Sequence, residues 1–123
     1  MTPNFLSIHH VSMIISNLEQ SRYFYHEVLG LEIDDSRPDL AFAGLWLQVN
    51  ESQQIHLLLV DNPDPQKRPE HGGRDRHAAF KVNDINEIGL RLKQHKITYR
   101  KSSSGRAAIF VRDPDGNTLE LME

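Results

Sequence analysis

The feature that most constrains the fold is an internal repeat. Two stretches of the chain, residues 5–60 and 76–123, each have the pattern strand, helix, strand, strand, strand. His10 and His77 stand at equivalent points, because each precedes by eight residues the first apolar residue of the following helix, Leu18 or Ile85. A unit of this kind covers one face of a small sheet with its own helix, so the repeat predicts an α+β fold.

Alternation of polar and apolar residues predicts four strands in each module. They are residues 5–15, 31–34, 40–48 and 54–60, and then 76–82, 96–101, 106–112 and 118–122. The Ser16/Glu19 and Asp84/Glu87 pairs have capping-box spacing, which predicts that Ser16 and Asp84 are N-caps.

Residues 61–75 contain three prolines and two glycines and predict a linker between the modules. We therefore expect residues 1–123 to form a single domain. Its two βαβββ modules, 5–60 and 76–123, would form a curved mixed sheet, a half-barrel around a cleft.

Composition narrows the function classes. With 123 residues and 38% hydrophobic content, the chain suits one compact domain. A net charge of −3 gives no basic field for nucleic acid or an anionic membrane. The absence of cysteine excludes disulfides, thiolate metal sites and cysteine nucleophiles. Without a signal-peptide pattern or a long apolar run, we expect a cytoplasmic protein that does not span a membrane.

Four polar side chains occupy equivalent strand positions in the two modules: His10, His56, His77 and Glu120. Alternation places them opposite the helix-covered face of each sheet. A pseudo-two-fold pairing of the modules would bring them into one cleft. Imidazole and carboxylate ligands suit Zn²⁺, Ni²⁺, Mn²⁺ or Fe²⁺, so the pattern indicates a divalent metal site. Ordinary hydrogen-bonded or exposed histidines are the alternative.

Other candidates have two interpretations each. Arg74, Arg76 and Arg106 could hold an anionic substrate at the cleft mouth, or they could be solvated surface residues. Trp46 could line a substrate pocket or pack in the core. His9 is expected to face away from His10 in a strand, so it is not included in the site.

Several motifs resemble those of the vicinal oxygen chelate superfamily, and the resemblance covers nearly the whole chain. They are the opening His10-Val11 strand, the Val28-Leu29-Gly30-Leu31 segment, and the Asp113-Pro114-Asp115-Gly116-Asn117 turn before the Glu120 strand. Members of that superfamily include glyoxalase I, fosfomycin-resistance thiol transferases, methylmalonyl-CoA epimerase, extradiol dioxygenases and bleomycin-binding proteins.

The resemblance implies roles for individual residues. His10, His77 and Glu120 match metal ligands of the superfamily, and Glu120 also matches a proton shuttle. His56 stands where glyoxalase I has a second glutamate, and histidine retains the ability to bind a metal. Ile14 stands where glyoxalase I tends to have an arginine for glutathione, which argues against a glutathione adduct. The resemblance also implies a homodimer, in which sites commonly draw ligands from both chains.

Three functions follow as hypotheses. The first is a glyoxalase-like lyase or isomerase that acts on a small substrate with vicinal oxygens through an enediolate, with Glu120 moving the proton. The second is an Fe²⁺ extradiol-type dioxygenase that uses His10, His77 and Glu120 as a facial triad. The third is a metal-free protein that binds a drug and confers resistance.

Overall fold

Each module forms one four-stranded mixed sheet. The computed structural model describes residues 3–123, so the first two residues of the predicted domain lie outside it. The first sheet contains β1 (His10–Ile15), β2 (Glu32–Ile33), β3 (Gly44–Gln48) and β4 (Gln54–Leu59). The second contains β5 (His77–Lys81), β6 (Tyr99–Lys101), β7 (Ala108–Arg112) and β8 (Thr118–Met122).

The strand orders of the two sheets are equivalent, β1-β4-β3-β2 and β5-β8-β7-β6. β1 runs parallel to β4 and β5 runs parallel to β8, whereas the other neighbours are antiparallel. The predicted α+β architecture of two βαβββ modules is therefore confirmed, as two sheets that are not closed.

The helices follow the first strand of each module. Helix α1 (Leu18–Arg22) continues as a π-helical segment over Tyr23–Val28, and helix α2 spans Ile85–Gln94. No helix within residues 3–123 is long and apolar enough to cross a membrane.

One predicted helix cap is wrong. The N-cap of α1 is Asn17, whose side chain accepts a hydrogen bond from the Gln20 amide at 3.0 Å. The Ser16 hydroxyl is not free to cap, because it donates to Asp115 in the second module at 2.5 Å. Asp84 is the N-cap of α2, as predicted.

Several strands begin later than predicted, and the differences are largest for β1 and β3. β1 starts at His10 because that is where β4 first supplies a partner, Gln54. Residues 5–9 therefore precede the ladder, and Phe5 and Leu6 are exposed. β3 begins at Gly44, where a side chain could not be accommodated, since its Cβ would lie 2.2 Å from the Leu57 carbonyl oxygen.

A single apolar core joins the modules. It is formed in part by alternate residues of β1, β4 and β8, which are buried: Met13, Ile15, Ile55, Leu57, Leu119 and Leu121. Polar contacts also cross between the modules, in addition to that of Ser16 with Asp115. The buried Tyr25 hydroxyl donates to Asp113 at 2.7 Å, and the Asn117 amide donates to the Ile14 carbonyl at 2.9 Å.

The segment between the modules is tied to the second sheet. It contains a 3-10 helix, Gly72–Arg74, and ends at Asp75. The Asp75 carboxylate lies 2.9 Å from Arg68 and 2.8 Å from Arg112 of β7. These contacts fix the backbone that leads into β5.

Candidate metal and substrate site

One pair of predicted site residues meets on the second sheet. Parallel pairing of β5 with β8 brings His77 and Glu120 onto the same face. His77 Nε2 lies 3.2 Å from Glu120 Oε1. The Glu120 side chain is only 7% exposed, whereas that of His77 is 26% exposed. The other carboxylate oxygen, Oε2, accepts a hydrogen bond from Arg106 at 2.9 Å.

The His77 ring is oriented by its other nitrogen. Nδ1 lies 2.8 Å from the Asp75 carbonyl oxygen and must be the donor, since a carbonyl only accepts. In the neutral ring, Nε2 then carries a lone pair that faces a carboxylate oxygen. Such a contact is favourable only if a proton or a cation lies between the two atoms.

This contact suits a divalent cation. Ligand atoms about 2.1 Å from one ion, at tetrahedral or octahedral angles, lie about 3.0–3.4 Å apart. The 3.2 Å separation of His77 Nε2 and Glu120 Oε1 is in that range. Metal-binding histidines also usually donate their second ring N–H to a carbonyl or carboxylate, as His77 does to Asp75.

The other pair, His10 and His56, lies on the first sheet. Their rings are stacked, with centroids 3.8 Å apart and planes at 14°. The opposite face of the His56 ring stacks on Trp46, its cross-strand partner, at 4.5 Å and 9°. Trp46 is half-buried and extends this stack.

Parallel rings cannot bind one ion together. The lone pair of an imidazole nitrogen lies in the ring plane, so an ion bound by both rings would have to lie in both planes. The planes of His10 and His56 are nearly parallel and separate. One ring must therefore turn before both could be ligands.

His56 is the more restrained of the two rings. Its Nε2 donates to the Gln54 side-chain oxygen at 2.8 Å. The Gln54 amide nitrogen in turn donates to Asp34 and Gln48, at 2.8 and 2.7 Å, which fixes the amide orientation.

Its surroundings also keep His56 uncharged. Burial, followed by the neighbouring His10, His9 and Arg37, lowers the pKa of His56 to about 4. The neutral ring suits the stack, and His10 is the less restrained of the two rings.

The four predicted ligands thus form two pairs and not one cluster. Over residues 3–123, no hydrogen bond, ion pair or ring contact joins His10 or His56 to His77 or Glu120. In the same part of the chain, no group of three or more His, Asp or Glu side chains is arranged to hold a metal ion. The predicted convergence within one chain is therefore not observed.

The three candidate arginines differ in position. Arg106 contacts Glu120 directly. Arg76 pairs with Asp64 and lines, with His77 and residues 11–14 of β1, a cleft of about 390 Å³. Arg74 is exposed at the end of the 3-10 helix.

His9, which was predicted to lie outside the site, contacts His10. Its Nδ1 lies 2.8 Å from Nδ1 of His10, and its ring centroid is 6.4 Å from that of His56. Strand alternation predicted that it faces away from His10, but the ladder begins only at His10, so alternation does not apply to His9. The sequence contained one signal that could have indicated this contact: His9 and His10 are adjacent where β1 begins.

Known proteins resemble the chain in both sequence and structure. Residues 7–121 match the Glyoxalase/Bleomycin resistance protein/Dioxygenase superfamily. The chain is 32% identical to "Glyoxylase I 4" of Arabidopsis thaliana, over 94% of this chain and 69% of the plant protein. It is 30% identical to a lactoylglutathione lyase of Neisseria meningitidis, over 93% of this chain and 88% of the lyase. A crystal structure of a glyoxalase family protein from Enterococcus faecalis has a TM-score of 0.71 and 32% identity, with coverage of 97% and 98%.

Proposed function

Because the chain belongs to the glyoxalase/bleomycin resistance/dioxygenase superfamily, we propose that it is a metal-dependent lyase or isomerase. Its substrate would be a small anion with two vicinal oxygens. The observation that carries the proposal is the 3.2 Å contact between His77 Nε2 and Glu120 Oε1, with His77 oriented by the Asp75 carbonyl. Relatives with glyoxalase activity in their names support the reaction class.

His10, His77 and Glu120 would hold the metal ion. Zn²⁺, Ni²⁺, Mn²⁺ or Fe²⁺ accepts this set of ligands, and the bound ion would act as a Lewis acid toward substrate oxygens. His56 joins as a fourth ligand only if one of the two stacked rings, His10 or His56, turns. Otherwise Trp46 and His56 offer a flat aromatic wall beside the site.

Glu120 is the group that would move a proton. Its carboxylate is almost fully removed from water, and general bases in such surroundings can exchange a proton with a carbon next to a carbonyl. Arg106 contacts the same carboxylate but is 53% exposed, so its guanidinium could also reach an anionic substrate. Arg76 lies on the cleft beside His77 and would add positive charge there.

We further propose that complete sites form between two chains. Each module supplies half of the ligand set, His10 with His56 from the first and His77 with Glu120 from the second. A two-fold dimer would bring the first-module half of one protomer against the second-module half of its partner. Isologous dimers are also the commonest assembly.

The experiment that tests the function is proton exchange by the Glu120→Gln variant. Metal-loaded wild-type protein is incubated in D₂O with a panel of 2-hydroxyketones and 2-hydroxy acids, and NMR measures deuterium at the carbon next to the carbonyl. Glutamine keeps the size and a weak oxygen ligand but removes the base. We expect the variant to retain part of its metal and its rate of proton exchange to fall by a factor of about 10²–10⁴.

The matched control is Glu87→Gln, which changes an exposed glutamate on α2 that pairs with Arg91. It should exchange at the wild-type rate. If Glu120→Gln held metal and exchanged as fast as the wild type, Glu120 would be at most a ligand and the proton-transfer proposal would be wrong.

A second candidate is the Fe²⁺ dioxygenase. The observation that favours it is the stack of His56 on Trp46, which leaves His10, His77 and Glu120 as a two-histidine, one-carboxylate set. Iron in elemental analysis and O₂ uptake with catechol as the probe would favour this candidate. If Glu120→Gln lost O₂ uptake, and the wild-type protein showed no proton exchange, the dioxygenase would be selected over the lyase.

A further inference from the structure

We propose that His9 is a positioning residue that holds the His10 ring ready to bind the metal. The proposal rests on the proposed metal site, and it concerns a residue outside the predicted ligand set. The proposal starts from a contact between two imidazole nitrogens: Nδ1 of His9 lies 2.8 Å from Nδ1 of His10.

A contact of this length requires one proton between the nitrogens. Two neutral rings can share it in two ways. If His9 donates, Nδ1 of His10 accepts and the His10 proton must be on Nε2, which leaves neither His10 nitrogen free for a metal. If His10 donates from Nδ1, its Nε2 carries the lone pair, and only this second arrangement makes His10 a ligand.

His9 is held where it can accept. Its backbone carbonyl accepts from the Gln54 amide at 3.1 Å, which anchors the residue beside the first rung of the β1–β4 ladder. The His9 ring stands at 84° to that of His10, with centroids 5.1 Å apart. With the two Nδ1 atoms 2.8 Å apart, the Nδ1 lone pair of His9 is within hydrogen-bond distance of an N–H on Nδ1 of His10.

The arrangement parallels that of His77 on the other sheet. There a backbone carbonyl accepts the Nδ1 proton and leaves Nε2 open. On the first sheet the acceptor is a side chain, so it can be removed by substitution. Loss of such a supporting acceptor typically costs about 10–100-fold in metal affinity.

The first test is metal affinity, measured by Zn²⁺ titration against a competing chelator. We expect His9→Leu to weaken Zn²⁺ binding by about 10–100-fold. His9→Asn, which places an amide group where the Nδ1 acceptor stands, should bind within about threefold of the wild type. His95→Leu removes an exposed histidine that contacts Tyr23, away from both pairs, and controls for adventitious binding to surface imidazoles.

The second test locates the shared proton. In Zn²⁺-loaded protein, two-bond ¹H–¹⁵N correlation spectra should show His10 protonated at Nδ1 and His9 unprotonated there. A structural role alone would not set this tautomer. A proton found on Nδ1 of His9, or equal affinity losses in His9→Leu and His9→Asn, would overturn the proposal.

The outcomes separate this inference from the metal site itself. If His77→Ala abolished Zn²⁺ binding while His9→Leu bound like the wild type, the site would stand and the role of His9 would be wrong. If wild-type protein bound no divalent metal, the proposed function would be wrong, and the role of His9 would be wrong with it.

Discussion

At the residue scale, hydrogen bonds and ring stacking fix the orientation of three of the candidate side chains, His56, His77 and Glu120. His77 uses one nitrogen on a carbonyl and the other on Glu120, and Glu120 uses its second oxygen on Arg106. His56 is fixed by Gln54 and lies between two aromatic rings. Preorganised groups of this kind lose little orientational freedom when a ligand binds.

Arg106 gives a prediction at this scale. It contacts the buried carboxylate but is half-exposed, so an incoming anion can reach its guanidinium. We expect Arg106→Ala to weaken the binding of oxalate, a small dianion with vicinal oxygens, to Zn²⁺-loaded protein by about 10–100-fold, the effect of losing a charged hydrogen bond. Isothermal titration calorimetry measures the dissociation constant.

The control for Arg106 is another arginine of the same module. Arg100 is similarly exposed and pairs with Glu70 on the surface, so Arg100→Ala should leave oxalate binding unchanged. If the two variants weakened oxalate binding equally, the affinity would depend only on net charge. The assignment of Arg106 to the substrate site would then be wrong.

At the element scale, the sequence predicted the types and order of the strands well, because hydrophobic alternation and the repeat reinforce one another. It predicted the ends of the strands and helices less well. Ser16 has a capping residue's identity, yet its hydroxyl binds Asp115, 99 residues away, and Asn17 caps instead. The π-helical turn after Arg22 has no local signal either. The Ser16–Asp115 contact joins the two modules, and a local sequence pattern does not contain such contacts.

The same limit applies to the site. Alternation correctly placed His77 and Glu120 on one face of the second sheet, where the structure brings them into contact. It could not predict that the His56 ring stacks between His10 and Trp46, since that depends on side-chain torsions. It also failed for His9, which precedes the strand.

Asp75 gives a prediction for the segment that leads into β5. Burial alone would raise the pKa of Asp75, but hydrogen bonds from Arg112, Arg68 and the Arg76 amide lower it to about 2. A carboxyl with a lowered folded-state pKa stabilises the fold above its unfolded value, near 4, and this contribution is lost as pH falls toward 2. Asp75→Asn should therefore lower the free energy of unfolding at pH 7 by about 1.5–3 kcal/mol.

Urea unfolding at several pH values measures this effect. The difference between wild type and Asp75→Asn should shrink as pH falls from about 4 to about 2. Asp61→Asn, at an exposed position of the same segment, should show little difference at any pH. A difference for Asp75→Asn that stayed constant down to pH 2 would contradict the role of its charge.

At the scale of the whole molecule, the candidate ligands form two half-sites, and within residues 3–123 no hydrogen bond, ion pair or ring contact joins them. His10 belongs to the first module and His77 to the second, and each is anchored by its own sheet. A dimer with shared sites makes a specific prediction. A mixed dimer of a His10→Ala chain and a His77→Ala chain would contain one site with both histidines intact and one site lacking both.

The most direct measurement is the metal content of that mixed dimer. The two variants are co-expressed with different histidine-free tags, purified by both tags without chelator, and analysed by mass spectrometry for bound metal. We predict about one metal ion per mixed dimer, about two per wild-type dimer and almost none in either parent variant. Wild-type metal content in the His77→Ala parent, or a metal-free mixed dimer, would contradict the account.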